Sequence, residues 1–359
     1  MEKNLFGLSL NQLNDLMKEL GFPSYRADQL FEWLHKKQID TWEEMSNIPK
    51  KLKSTLQENG YQLMLPTLVS KHISTDGQTI KCLFSLYDGY TVETVLMNYA
   101  RDNSRDRRTV CVSSQVGCAM GCPFCATGHQ GFYRNLDVSE IVGQVILMNK
   151  LVRQKDPIEQ VTNLVYMGMG EPLNNYNHVL ASVRLLSDAH GLNIGLRRMT
   201  ISTCGIVPKI YALAAEGLPV TLAVSLHTAD NKKRDKLVPI NEKYPLASLL
   251  KACRYYYEQT KRRITFEYAL IAGENDQPSD IIDLQRLLKG LNCHVNIIPL
   301  NVVSHAPYKT SLEAERFVEQ LKKYHVEAFI REEKGLEIDA ACGQLKANEG
   351  EKHEYFLDE

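Results

Sequence analysis

No run of about 18 apolar residues occurs in the 359-residue chain, so no segment is apolar enough to cross a membrane as a helix. An excess of charge of one sign is also lacking: 42 lysines and arginines face 43 aspartates and glutamates, for a formal net charge of −1. Affinity for a polyanion must therefore come from local patches rather than from the molecule as a whole. The start, Met1-Glu-Lys-Asn-Leu-Phe6, lacks the basic-then-apolar layout of a secretory signal, and a cytoplasmic location is expected. Low-complexity tracts and sequence repeats are missing too. What remains, 44% hydrophobic and 24% charged, is ordinary for a globular protein and ample for a core. The length suits one large domain with an appendage.

Nine cysteines make an odd set, and three of them fall between positions 118 and 125. Without a secretory signal this favours metal binding or catalysis over a disulfide framework. Basic residues gather in three places: Arg101, Arg105, Arg107 and Arg108; Lys232, Lys233 and Arg234; and Lys261, Arg262 and Arg263. Each alone reads as a solvated loop or helix face. Together they favour a polyanionic partner.

The first 62 residues predict a small helical domain. Ser9 with Gln12 forms a capping box, Leu13, Leu16, Met17 and Leu20 share a face, and Gly21 ends the helix. A second helix follows Ser24, with Ala27, Leu30, Phe31 and Leu34 at helical spacing, and a third starts near Pro49. Residues 63–108 predict a hairpin and a linker. Ile80, Cys82, Phe84 and Leu86 alternate, Asp88-Gly89 turns, and Tyr90, Val92, Thr94 and Leu96 alternate back. The polar stretch from Asn98 to Arg108 is expected to be the linker.

From 109 to 345 strand and helix patterns alternate, leaving 346–359 as a tail. Strands are expected near Val110, Asn163, Arg198, Thr221, Ile264, His294 and Val326. Asp137 can cap a helix, Gly191 can close one, and Thr310 with Glu313 suits a capping box for the last. Such alternation means parallel strands with crossover helices, and six or seven units suggest an incomplete α/β barrel. Working residues then sit after the carboxyl ends of the strands. The cysteine loop, Gly168-Met-Gly-Glu171, Ser202, Ser225, His227 and Asn301 all fall at such ends.

Cys118-Ala-Met-Gly-Cys122-Pro-Phe-Cys125 is the strongest signal. Three thiolates spaced C-x3-C-x2-C in a tight loop can hold three corners of a 4Fe–4S cluster and leave one iron open. An open iron can chelate S-adenosylmethionine (SAM) and reduce its sulfonium, and Phe124 before the last cysteine also fits the radical-SAM signature. The motif alone leaves two alternatives open. Cys118, Cys122, Cys125 and His129 could bind zinc tetrahedrally, or the thiols could be inert and buried.

The motifs resemble the RlmN/Cfr group of radical-SAM RNA methyltransferases. The matching stretches are Cys111-Val-Ser-Ser-Gln-Val-Gly-Cys118, Cys125-Ala-Thr-Gly, Gly168-Met-Gly-Glu-Pro172, Val224-Ser-Leu-His227, Leu237-Val-Pro-Ile-Asn241 and Ile338-Asp-Ala-Ala-Cys-Gly-Gln-Leu345. The helical amino terminus is similar to the family's accessory domain. The resemblance implies a partial (β/α)6 radical-SAM barrel with that RNA-binding domain and a β-hairpin extension. It implies one 4Fe–4S cluster on Cys118, Cys122 and Cys125, and two SAM molecules per turnover. It assigns SAM contacts to Gly170, Glu171, Ser202, Ser225, Leu226, His227 and Asn301, with Glu171 on the methionine ammonium. Cys342 becomes a methyl carrier, Cys111 the thiol that releases product through a transient disulfide, and Glu93 the base that takes the carbon 2 proton. The implied substrate is adenosine in 23S rRNA near the peptidyl-transferase centre and in tRNA beside the anticodon. A one-electron donor such as flavodoxin or ferredoxin is also implied. Methylation of carbon 8, as in the resistance branch of the group, would use the same residues. From another class, a zinc-dependent RNA-binding protein without catalysis is the rival. Cys82, Cys204, Cys253 and Cys293 are expected to be structural.

Overall fold

The computed structural model describes residues 3–99, 106–303, 306–332 and 334–346. The helical module begins with the short strand β1 (Lys3–Asn4), then α1 (Leu10–Glu19), α2 (Tyr25–Phe31), α3 (Lys50–Glu58) and β2 (Tyr61–Gln62), which pairs with β1 in parallel. Ser9 and Gln12 do form a capping box, satisfying amides at the start of α1. A π-helical stretch, Glu32–Lys37, continues α2 and is stopped by Gln38 in the left-handed region.

Next come β3 (Thr67–Ile73), β4 (Thr79–Ser85), β5 (Thr91–Tyr99), β6 (Arg107–Cys111) and β7 (Gln115–Gly117). The cysteine loop leads into the single-turn α4 (Ala126–His129), then β8 (Phe132–Asn135), α5 (Val138–Lys155) and β9 (Asn163–Tyr166). The remaining units are α6 (Tyr176–Ser187), β10 (Met199–Thr203), α7 (Val207–Ala215), β11 (Thr221–Ser225), α8 (Asn231–Leu237) and α9 (Leu246–Thr260). They are followed by β12 (Ile264–Leu270), α10 (Pro278–Leu288), β13 (Cys293–Pro299), α11 (Ala314–Lys323) and β14 (Ala328–Ile330).

One ten-stranded sheet runs in the order β14-β13-β12-β11-β10-β9-β6-β5-β4-β3. From β6 to β14 every pairing is parallel, and from β3 to β6 every pairing is antiparallel. The hairpin is thus continuous with the half-barrel wall, and β5 hydrogen-bonds to β6 directly. The buried faces of sheet and helices make one main core, which extends into the helical module through α5, and a small separate cluster with Cys122, Leu237 and Leu300 lies by the cysteine loop. There Asn149 donates to Gln38 at 3.1 Å.

Three expectations are corrected. Strand structure reaches Tyr99 and resumes at Arg107, so both ends of the supposed Asn98–Arg108 linker belong to the sheet; residues 100–105, with Arg101 and Arg105, lie outside the described residues. Helix α6 stops at Ser187, before Gly191, whose missing Cβ instead leaves room for His35 and Phe31. Thr310 caps no helix: its hydroxyl donates to the Leu300 carbonyl, while Ser311 accepts the Glu313 amide ahead of α11.

Candidate active site

A cavity of about 160 Å³ lies at the carboxyl ends of the parallel strands. Cys118, Cys122, Cys125, Gly170, Glu171, Ser202, Ser225, His227, Asn301 and Cys342 all line it. Cys111, Glu93 and Leu226 do not. Leu226 is wholly buried, its amide bonded to the Glu267 carbonyl and its own carbonyl to Arg234, so its side chain serves the core.

The cysteine loop is shaped by close backbone packing. The antiparallel β7–β8 pair brackets it, and the Cys118 amide donates to the Gly131 carbonyl at 2.7 Å. Burial pushes the Cys118 thiol up to about 12 and raises that of Cys125 as well. Buried thiols in a mostly apolar cavity ionise only beside a cation, so this donor set fits an iron–sulfur cluster on Cys118, Cys122 and Cys125. The zinc alternative loses its fourth ligand. His129 is exposed, its Nε2 lies 2.8 Å from the Pro123 carbonyl, and it does not line the cavity. Among the described residues, no three His, Cys, Asp or Glu side chains are gathered as around a single ion.

Gly170 has φ +97°, and a Cβ there would meet the Gln115 side chain at 2.5 Å, so only glycine allows this turn at the cavity wall. Glu171 next to it is buried. Its carboxylate accepts the Leu173 amide at 2.9 Å and the Cys204 amide at 2.7 Å, which ties the loop after β9 to the end of β10. Burial raises its pKa against these bonds. His227 is neutral, its pKa lowered to about 3 by burial and by Arg234. Its Nδ1 accepts the Ala269 amide at 2.9 Å, so Nε2 carries the proton and can donate. Phe124 from the cysteine loop packs edge-on against it, with ring centroids 4.8 Å apart. Asn301 donates to the Cys342 carbonyl at 3.0 Å, while its buried Oδ1 has no partner among the described residues, leaving an acceptor beside the ligand space.

Beyond the Asn301 bond, the segment carrying Cys342 is fixed at three further points. The Ala126 amide donates to the Gly343 carbonyl at 2.7 Å, and Thr127 donates to the Leu345 carbonyl at 2.6 Å. The Lys346 amide reaches the Glu93 carboxylate at 2.8 Å. Glu93 also pairs with Lys81 at 3.0 Å. Burial outweighs both contacts and raises the Glu93 pKa. Cys111, the last residue of β6, is pushed up to about 12 by burial and then by neighbouring Cys342, against the opposing charge of Arg331.

Sequence reasoning missed Arg234 and Arg331. Arg234 is no surface charge. It is fully buried and donates to the carbonyls of Cys204, Ser225 and Leu226 and to Asn241, binding the loops after β10 and β11 together. Lys233 is held by Asp280 at 2.6 Å. The expected Lys232–Arg234 patch therefore shrinks to Lys232. In the third patch, Arg263 pairs with Glu327 and Arg262 bonds to Thr221. Arg331 lines the cavity beside Cys342, with Nη1 3.5 Å from the Glu267 carboxylate.

A parallel half-barrel with a three-cysteine loop after its first strand is the architecture of the radical SAM superfamily, whose family model matches residues 112–285. Residues 3–61 match the model of the ribosomal RNA large subunit methyltransferase N-terminal domain. A probable dual-specificity RNA methyltransferase RlmN from Bacillus cytotoxicus is 45% identical over 96% of this chain and 94% of its own length. The protein of that description from Bacillus thuringiensis is 46% identical over the same shares. The crystal structure of a radical SAM methyltransferase from Sphaerobacter thermophilus superposes with a TM-score of 0.89 at 44% identity, covering 95% of this chain and 98% of that one. The chain belongs to the RlmN family of radical SAM RNA methyltransferases. No helix among the described residues is long and apolar enough to cross a membrane.

Proposed function

We propose that this enzyme methylates carbon 2 of adenosine in 23S rRNA near the peptidyl-transferase centre and in tRNA beside the anticodon. Relatives described as dual-specificity support the two substrates. The observation that carries the chemistry is the anchoring of the Cys342 segment to both the cysteine loop and Glu93.

Carbon 2 of adenine is electron-poor and has no lone pair, so it cannot displace a methyl group from a sulfonium as a nitrogen would. Cys342 can. Its sulfur takes the methyl of one SAM by displacement, and its place in the cavity holds that methyl within the ligand space. A 4Fe–4S cluster held by Cys118, Cys122 and Cys125, with a second SAM and an electron from a donor such as flavodoxin or ferredoxin, supplies the radical chemistry that activates the methyl. Gly170, Ser202, Ser225, His227 and Asn301, which line the cavity, would contact SAM there, and Glu171, bonded to the Leu173 and Cys204 amides, would hold the loop beside it. Once the Cys342 methylene is joined to carbon 2, Glu93 takes the ring proton, and the unpaired electron of the adduct would return through the cluster. The Cys111 thiolate then attacks the Cys342 sulfur, and a disulfide forms as the methylene–sulfur bond breaks. The freed carbon takes up a proton and leaves as the new methyl group. An external thiol supplies the two electrons that reduce the disulfide for the next turnover. A cytoplasmic location follows from such substrates.

The two thiols fail differently when replaced. Cys342→Ala leaves no sulfur to carry the methyl and gives neither product nor adduct. Cys111→Ala still forms the bond to the base but cannot release it, and RNA crosslinked through Cys342 accumulates as a slow band that survives denaturation. Normal turnover of Cys111→Ala, with no trapped species, would exclude Cys111 as the releasing thiol.

A further inference from the structure

A second chamber lies inside the half-barrel, toward the amino ends of the strands, and none of the proposed chemistry uses it. It measures about 290 Å³, and its polar wall carries Arg107, Arg197, Arg198 and Arg331. Arg107 begins β6 and Arg198 directly precedes β10, so these cations ring the end opposite the cysteine loop.

Among the described residues the charges do not cancel. Arg331 faces Glu267, and Glu332 is paired with Lys334 at 2.7 Å. Arg107, Arg197 and Arg198 have no carboxylate partner among the described residues. Arg107 stacks on Tyr99, with its guanidinium carbon 3.9 Å from the ring centroid, which orients the fork without using its donors. Among the described residues its buried Nε has no hydrogen-bond partner, nor has the buried hydroxyl of Thr109 beside it on β6. Buried polar groups left unpaired cost free energy until a ligand satisfies them. Guanidinium forks match the oxygens of a phosphate, and three of them around one concavity suit a chain of phosphates.

The chamber also shares a wall with the cavity above. Met167, Glu267 and Arg331 line both. Arg331 Nη1 lies 3.7 Å from the Met167 sulfur, and Cys342 lies on the far side.

We infer that this chamber binds the phosphodiester backbone flanking the reacting nucleotide, so that RNA enters from the amino ends of the strands and its base meets Cys342 at the shared wall. The inference rests on the proposed RNA methylation and deepens it.

The test is fluorescence anisotropy of a labelled RNA hairpin carrying the target adenosine, titrated with holoenzyme between about 50 and 200 mM salt. The double variant Arg197→Ala/Arg198→Ala should bind about tenfold more weakly, with the salt slope reduced by about two. The double lysine variant should recover the slope but only part of the affinity, because an ammonium lacks the fork. Lys232→Ala, in α8 at the opposite end, should leave the slope unchanged. A wild-type slope in the double alanine variant overturns the chamber, as does a loss of equal size in Lys232→Ala. Competition by adenosine monophosphate as effective as by the hairpin would make the chamber a mononucleotide site and overturn the RNA assignment. A wild-type enzyme that forms no methyladenosine is a separate result, because it strikes the proposed function itself.

Discussion

The backbone amide of Lys346 donates to the carboxylate of Glu93 at 2.8 Å across 253 residues of sequence, joining the segment that carries Cys342 to β5. That bond, with the Lys81 ion pair, fixes one carboxylate beside the loop that carries Cys342. It has a kinetic consequence. A base works only when ionised, and burial raises the Glu93 pKa, so activity should climb with pH through a limb above the ordinary carboxylate range. Glu93→Gln should lower turnover by about 100-fold or more and abolish that limb. A pH–rate profile of the wild type and variant, with methylated RNA as the readout, checks both.

The release step should carry a second signature of the same sign, at higher pH. Cys111 is pushed up to about 12, so at neutral pH its thiolate is scarce and grows about tenfold per pH unit. In a quench-flow experiment the RNA–protein adduct of the wild type should therefore decay faster as pH rises from about 7 to 9. Decay independent of pH would assign release to a different group.

Arg234 makes a structural prediction. Arg234→Ala should strand three carbonyls, that of Leu226 buried and those of Cys204 and Ser225 partly so, and cost on the order of 3 kcal/mol, seen as a lower midpoint in thermal or urea unfolding. Arg234→Lys should recover little, since one ammonium cannot span the positions that the fork reaches. An unchanged midpoint would show that the loops after β10 and β11 are held by other contacts.

The metal is checked independently of turnover. Anaerobically reconstituted protein should be brown and contain about four irons, and Cys122→Ala should be colourless. His129→Ala should retain the full iron content, because its ring bonds to Pro123 outside the cavity. Stoichiometric zinc in a colourless wild type would restore the zinc site as the role of the three thiols.

Strands with a clear apolar signature were legible from sequence almost to the residue: Asn163, Thr221 and Ile264 each begin one. The edge strand β3 was not, because Thr67–Ile73 is mostly exposed on both faces and lacks an alternating pattern. The cavity residues were legible because their motifs follow strand ends, where a parallel half-barrel concentrates its ligands. Arg234 was misjudged for a physical reason. A Lys-Lys-Arg run in sequence says nothing about which cation the fold turns inward, and only the open carbonyls of two loops decide it. Arg107, Arg198 and Arg331 come from three separate parts of the chain, and only the closing of the sheet makes them neighbours.

The central claim is the carbon that receives the methyl group. RNA treated with reduced holoenzyme and SAM, digested to nucleosides and resolved by chromatography with mass spectrometry against authentic standards, should yield 2-methyladenosine. Predominant 8-methyladenosine, or adenosine left unmodified, would contradict it.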